Sequence, residues 1–198
     1  MKSNICKLSK DKKCLRNIIS ETEKVLEYNN LNKQNALRLR LLAEEMVGLI
    51  SELIDNFEGD FWLENEGNKY RLYASLNVKN INKELKENLI ELSSNKKNNL
   101  AKGIKGKILS VFQNIALDIA ENGAYVPSSY YYTSCEEYAH AYSYTWSLTE
   151  YTTNIKTSEN KETEWDELEK SIIAKLANDV LVGVLKDKVE ILIVKDFI

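Results

Sequence analysis

Residues 32–57, NKQNALRLRLLAEEMVGLISELIDNF, carry the clearest structural pattern in this chain of 198 residues. Apolar side chains recur there at three- and four-residue spacing, which is typical of a helix with one buried face. Asn32 is a suitable N-cap because its side-chain oxygen can accept a hydrogen bond from the first turn. Gly59 lies where a helix C-terminus favours glycine. The stretch therefore predicts one long amphipathic helix, interrupted only by Gly48.

Other periodic segments predict the elements around this helix. Alternating patterns over residues 61–65 and 70–78, with turn residues 65–68 between them, predict a β-hairpin. The apolar runs 180–184 and 189–194 predict a second hairpin. Helical spacing recurs over residues 15–26, 81–92, 104–120 and 162–177. We therefore expect an α+β fold, a two-layer sandwich whose mainly antiparallel sheet of two hairpins carries helices on one face.

Three segments lack such periodicity. Residues 1–13 are polar and are predicted to be a flexible N-terminal segment, and residues 93–99 form a Lys- and Asn-rich loop. Residues 122–158 contain the single proline and most of the tyrosines, an aromatic content that argues against disorder. We interpret residues 122–158 as a Tyr-rich insertion or flap, with a short helix near 146–155, on a single domain spanning residues 1–198.

Composition excludes several classes of protein. The formal net charge of −3 argues against a nucleic-acid binder, and no apolar run approaches the roughly 20 residues of a membrane helix. The N-terminus is Lys-rich without an apolar core, unlike a signal peptide. Three cysteines at spacings unlike zinc ligands fit reduced thiols in the cytoplasm. With His140 as the single histidine, we expect no metal site.

Two adjacent acids, Glu44 and Glu45, interrupt the long apolar helix near its middle. Helical geometry requires one of them to lie close to the buried face, where an unpaired carboxylate is costly. One interpretation is an ion pair with Arg38, Arg40 or another base. The other is an acid in a functional site.

A second segment of chemical interest is residues 101–109, AKGIKGKIL, where a polar loop runs into an apolar helix. Gly103 and Gly106 would let the backbone approach a ligand closely, and free N–H groups at a helix start attract anions. Lys102 and Lys105 would add positive charge for a phosphate. A flexible loop followed by a solvated basic helix start explains the same residues equally well.

Together these segments resemble the histidine-kinase-like ATPase superfamily (Bergerat fold), most closely its small bacterial type similar to anti-sigma-factor kinases. The resemblance rests on the long helix with LLAEEM at 41–46, the hairpin, the segment KGIKGKI at 102–108 and the closing antiparallel hairpin. It covers residues 32–120 and 165–198, and leaves residues 122–158 outside. The resemblance implies a pocket for ATP or ADP.

In the first motif of that family, a helix carries a Glu that positions water and, one turn later, an Asn that binds magnesium. Glu44 or Glu45 is similar to that acid, but Gly48 or Leu49 stands where the Asn would be. The resemblance therefore implies a pocket acid without the family's metal ligand, and we do not expect magnesium-dependent hydrolysis.

The two remaining motifs differ in how well they match. The family reads adenine with the Asp of an Asp-x-Gly-x-Gly motif at a strand end. Here the strand end reads SLNVKN at 75–80, so that Asn77 is the nearest equivalent. The family's glycines at a helix start, under the phosphates, are similar to Gly103 and Gly106. Lys102 and Lys105 would supply charge there.

From these features we expect a cytoplasmic regulatory protein that binds ATP or ADP, or a degenerate relative that acts through contacts with a protein partner. An active ATPase or serine kinase of the same fold is one alternative. A module that binds partners through the Tyr-rich flap is another, since exposed tyrosine is favoured at interfaces. A Cys135–His140 dyad would require the two side chains to be in contact, which sequence proximity does not establish. We also consider a homodimer, and expect neither nucleic acid nor membrane as a partner.

Overall fold

The computed structural model describes residues 1–54, 56–77, 104, 106–108, 110–112, 114, 143–156, 161–185 and 188–197. Residues 104, 106–108, 110–112 and 114 are helical. The other elements, in chain order, are β1 (Cys6–Leu8), α1 (Lys12–Tyr28), α2 (Lys33–Leu53), β2 (Gly59–Glu66), β3 (Lys69–Asn77), β4 (Ser143–Ser147), α3 (Leu148–Ile155), α4 (Lys161–Glu169), α5 (Ile172–Leu176), β5 (Asp179–Leu185) and β6 (Lys188–Asp196).

The described strands form one antiparallel sheet in the order β1-β2-β3-β6-β5-β4. Both predicted hairpins are present, as β2–β3 and β5–β6, and Gly67 adopts a positive φ of 57° in the turn between β2 and β3. The hairpins join through β3 and β6, which pair along nine residues from Lys69↔Asp196 to Asn77↔Lys188. The centre of the sheet is therefore built from two segments far apart in the sequence.

Alternation along the strands separates the two faces of this sheet. The first face carries the apolar side chains that pack with the helices, namely Phe61, Leu63, Leu72, Ala74, Leu76, Val180, Val182, Val184, Val189, Ile191 and Ile193. The second face carries a smaller cluster of Tyr73, Leu181, Leu192 and Val194, with Trp62 against it. All buried apolar residues of the described helices belong to the first cluster. The fold is thus the expected α+β sandwich with helices on one face.

Among the described helices, α2 buries the most side chains. Its buried residues are Leu39, Leu42, Ala43, Met46, Val47, Leu49, Ile50 and Leu53, which follow the predicted spacing. Burying a side chain the size of Leu or Ile contributes about 1.5–3 kcal/mol, so this stripe is a main source of stability. Both α1 and α5 pack against α2.

The long helix begins where the sequence predicts and ends earlier. The Asn32 side chain accepts a hydrogen bond from the backbone N–H of Asn35 at 2.9 Å, which confirms the N-cap. The helix ends at Leu53 because Ile54 is extended, with φ −137° and ψ 125°. Ile54 and Phe57 are still buried, in the connection that leads to β2. Gly59 is accordingly the first residue of β2 and not part of a helix cap.

The N-terminal segment differs from the expected flexible tail. Cys6–Leu8 form the edge strand β1, with Cys6 paired to Phe61 and Leu8 paired to Gly59. The alternating burial of this short strand, with Cys6 and Leu8 inside and Lys7 outside, explains why a polar segment joins the sheet. Before it, the Ser3 N–H donates to the Leu63 carbonyl at 2.8 Å. Helix α1 then begins at Lys12, three residues before the predicted start.

Two further differences lie in the C-terminal half. The predicted helix over 162–177 is divided into α4 and α5, because the Ser171 hydroxyl accepts a hydrogen bond from the Ala174 N–H and caps a new helix. Residues of the predicted flap include strand β4, which pairs with β5. The short helix predicted near 146–155 is present as α3.

Several predictions lie outside the described residues: the helix over 81–92, the loop over 93–99, residues 115–120 of the third helix and residues 122–142 of the Tyr-rich segment. No described helix is long and apolar enough to span a membrane.

Two glycines give a matched test of this packing. A Cβ added at Gly59 would lie 2.2 Å from the Ser75 carbonyl oxygen, whereas a Cβ at Gly48 would meet nothing within 4 Å. We expect Gly59→Ala to lower the free energy of unfolding by about 1–3 kcal/mol, since a backbone atom must move. Gly48→Ala should raise it by about 0.5–1 kcal/mol through helix propensity. Urea denaturation measures both, and a Gly59→Ala variant as stable as the parent would contradict the strand packing.

Candidate functional site

The two acids of α2 have different environments. Glu44 forms an ion pair with Arg40 of the same helix, with 3.1 Å between Arg40 Nε and Glu44 Oε1. Arg40 also binds Glu23 of α1, with 3.0 Å between Nη1 and Oε1. These side chains are 38–46% exposed, so they form a surface network between two helices. For Glu44, the ion-pair interpretation is therefore confirmed.

Glu45 lies at the border of the buried stripe on α2. Glu45 is half-buried. Its neighbours on the helix surface, Leu42 three residues before and Leu49 four residues after, are buried. One turn further on, Gly48 is exposed, and the space beside it is open. Glu45 thus borders an open surface of the helical layer that no side chain at position 48 fills.

The helical residues after position 103 pack into the same layer. Ile104, Ile108 and Phe112 are buried in the main core. The sequence suggested that Gly106 lies in a turn before the helix. Gly106 is instead helical and buried, so it lies within the helix. Lys107 places its ammonium 5.1 Å from the centre of the Tyr151 ring on α3. The other predicted phosphate-site residues, Lys102, Gly103 and Lys105, lie outside the described residues.

Asn77 is separated from α2 by the sheet. It ends β3 and shares the second face with Tyr73 and Ser75, because side chains alternate along a strand. It lines a cavity of about 480 Å³ at this end of the sheet. Helix α2 packs on the first face, so Asn77 and Glu45 do not border the same open surface. The predicted grouping of Asn77 with Glu45 in one nucleotide pocket is therefore not observed.

The second face also carries a cluster around Glu64 that sequence analysis missed. The Glu64 carboxylate accepts a hydrogen bond from Trp62 Nε1 at 3.1 Å and pairs with the Lys2 ammonium at 2.9 Å. Trp62 stacks on Tyr73, with ring centres 4.8 Å apart and planes 7° from parallel. The alternation of Trp62 and Glu64 was the available signal, but their pairing with Tyr73 depends on strand register.

Burial raises the pKa of Glu64, but the hydrogen bond and charge of Lys2 and the hydrogen bonds from Trp62 and Tyr73 outweigh it. The pKa of this carboxyl consequently lies below its ordinary value. On Tyr73, burial and the neighbouring Glu64 carboxylate raise the pKa of the phenol. Both groups therefore keep their neutral-pH charge states, with Glu64 ionised and Tyr73 protonated.

Further buried polar groups continue across this face. Ser75 of β3 pairs in register with Glu190 of β6, and they are 5% and 2% exposed. Arg71 is also buried, with its guanidinium 3.5 Å from the Glu66 carboxylate. Among the described residues, no three His, Cys, Asp or Glu side chains come together as a metal site. Cys6 and Cys14 are free thiols, whereas Cys135 and His140 lie outside the described ranges.

The lowered pKa of Glu64 gives stability a pH dependence. A carboxyl whose pKa is lower in the folded state stabilises the protein above its unfolded pKa, and that contribution is lost as pH falls through the folded pKa. We expect Glu64→Gln to be less stable than the parent at neutral pH by about 1 kcal/mol or less, with the difference shrinking towards about pH 3. Urea denaturation across this range, with the exposed Glu27→Gln as control, measures it. A difference that does not change with pH would contradict the assignment.

No family model, curated protein or solved structure matches this chain.

Proposed function

We propose that this chain is a cytoplasmic regulatory protein of the histidine-kinase-like ATPase type, which binds ATP or ADP and acts by contacting another protein. The observation that carries the proposal is the half-buried Glu45 beside the open space at Gly48, in the middle of the longest helix among the described residues. An acid at such an open position can reach a ligand bound on the surface of the helix.

The arrangement of elements supports the same proposal. The long helix α2, the hairpin β2–β3, the helical residues from 104 and the closing hairpin β5–β6 follow in the order on which the resemblance rests. In this proposal Glu45 borders the nucleotide and Gly103 faces the phosphates, whereas Gly106 is left out because it is buried within a helix. Lys102 and Lys105 supply positive charge. Glu44 is left out because its carboxylate already pairs with Arg40.

The same site argues against hydrolysis. Phosphoryl transfer in such enzymes depends on magnesium held by protein oxygen atoms. Position 48, one turn after the acids, is a glycine and offers no oxygen from a side chain. A protein that binds nucleotide without turning it over would act through its surface, so we propose a protein partner. Phosphate release that disappears in Glu45→Gln would instead support the active ATPase or kinase.

Nucleotide binding can be tested by blocking the open surface. ATP or ADP at about 100 times its dissociation constant should stabilise the parent by about 2.7 kcal/mol, a rise of several degrees in melting temperature. Gly48→Trp should fold, because the position is exposed and open, and should abolish the rise by filling the surface beside Glu45. Gly48→Ala is the matched control and should keep it. No shift in the parent at millimolar nucleotide would refute nucleotide binding.

The missing metal ligand can be tested by restoring it. Gly48→Asn places an amide one turn after the acids, where the resemblance implies a magnesium ligand. Adding magnesium should increase the ATP-induced rise in melting temperature for Gly48→Asn, and should leave it unchanged for the parent and for Gly48→Ala. An equal effect of magnesium on all three proteins would contradict the role assigned to position 48.

A further inference from the structure

The cavity lies at the end of the sheet, where residues of the second face meet Leu8 and Ser9 ahead of α1. Its volume of about 480 Å³ falls within the range of small-molecule sites. Its polar lining includes Lys7, Glu58, Asp60, Ser75, Asn77 and Lys188. None of these residues belongs to the nucleotide site proposed above.

The strand register arranges these residues in two rows that run across the strands, an inner row and a row at the end of the sheet. In the inner row, Lys7 pairs with Asp60, Asp60 with Ser75, and Ser75 with the buried Glu190. The end row brings three residues together: the Asn77 N–H donates to the Glu58 carbonyl at 3.1 Å, and Asn77 pairs in register with Lys188. Glu58 and Lys188 therefore flank Asn77 on opposite sides, about 10 Å apart along the hydrogen-bonding direction.

The two ends of the end row, Glu58 and Lys188, carry opposite charges. The inner row adds little net charge beside them, because Lys7 is neutralised by Asp60, with 2.8 Å between Nζ and Oδ1. Glu58 adds a second negative charge on that side, and it contributes with Asp60 to raising the pKa of Lys7. Neither Glu58 nor Lys188 forms an ion pair within the described part of the chain. The cavity thus has a negative end at Glu58 and a positive end at Lys188, with the Asn77 amide between them.

We propose that this cavity binds a zwitterionic ligand of the amino-acid or dipeptide class, with its ammonium group at Glu58 and its carboxylate at Lys188. A simple anion would meet the Glu58 carboxylate, and a simple cation would leave Lys188 without a counter-charge. A ligand with both charges matches both ends. Because Glu58 and Lys188 are exposed, the affinity is modest.

Glycylglycine is the probe, and two controls, called the capped forms, each lack one of its charges. N-acetylglycine keeps the peptide bond and the carboxylate but has a methyl group in place of the aminomethyl end, so it lacks the ammonium group. Glycylglycine amide keeps the ammonium group but lacks the carboxylate. In an NMR titration of the full chain, we expect saturable shifts at Gly59, Asn77 and Lys188 with a dissociation constant on the order of 1 mM or tighter. Each capped form should bind about three- to fivefold more weakly, the loss of one exposed ion pair.

Two variants test which residue each ligand charge contacts. Glu58→Gln should weaken the binding of glycylglycine and remove the difference in affinity between glycylglycine and N-acetylglycine. Lys188→Gln should remove the difference in affinity between glycylglycine and glycylglycine amide. Lys175→Gln, on α5 outside the cavity, should change neither of these two differences in affinity. The proposal is overturned if glycylglycine does not saturate, if its shifts lie elsewhere, or if the capped forms bind as tightly as glycylglycine. The site is independent of nucleotide binding, so a failed ATP test leaves it standing.

Discussion

The pairing of β3 with β6 is the interaction on which the rest of the structure depends. It joins two hairpins that are about 100 residues apart in the sequence, with Leu72 opposite Ile193 and Leu76 opposite Val189. Because side chains alternate along strands, a slip of one residue would move all these apolar groups to the other face. The register therefore decides which side chains α2 covers. It also decides which polar groups, such as Ser75 and Glu190, share the second face.

Much of this architecture could be predicted from local pattern, because period and turn residues are properties of short segments. Helix α2 and both hairpins were found in this way. Strands β1 and β4 were not, since three or five residues carry too little alternation to stand out from loops. The division between α4 and α5 was also missed, because the apolar spacing continues past Ser171 and only the bonded hydroxyl reveals the cap.

The candidate site was predictable to a smaller extent. Helical geometry identified the pair of acids on α2, and the four-residue spacing of Arg40 and Glu44 fits the ion pair that the structure shows. The second contact of Arg40, with Glu23 on α1, depends on how the two helices pack. The face of the sheet that Asn77 occupies is set by the alternation of side chains along β3. The row of Glu58, Asn77 and Lys188 combines three segments, and no sequence motif connects them.

The short strand β1 also has a consequence for solubility. Without it, the eight residues of β2 would form an outer strand with unpaired backbone groups next to Phe61 and Leu63, a template for strands of other molecules. The backbone bonds of Met1 and Ser3 and the pairing of Cys6–Leu8 occupy much of that edge. Lys7 then places a charge, with its side chain 84% exposed, on the new outer strand. The first eight residues therefore protect the edge of β2 from pairing with strands of other molecules. The composition of this segment alone suggests only a tail.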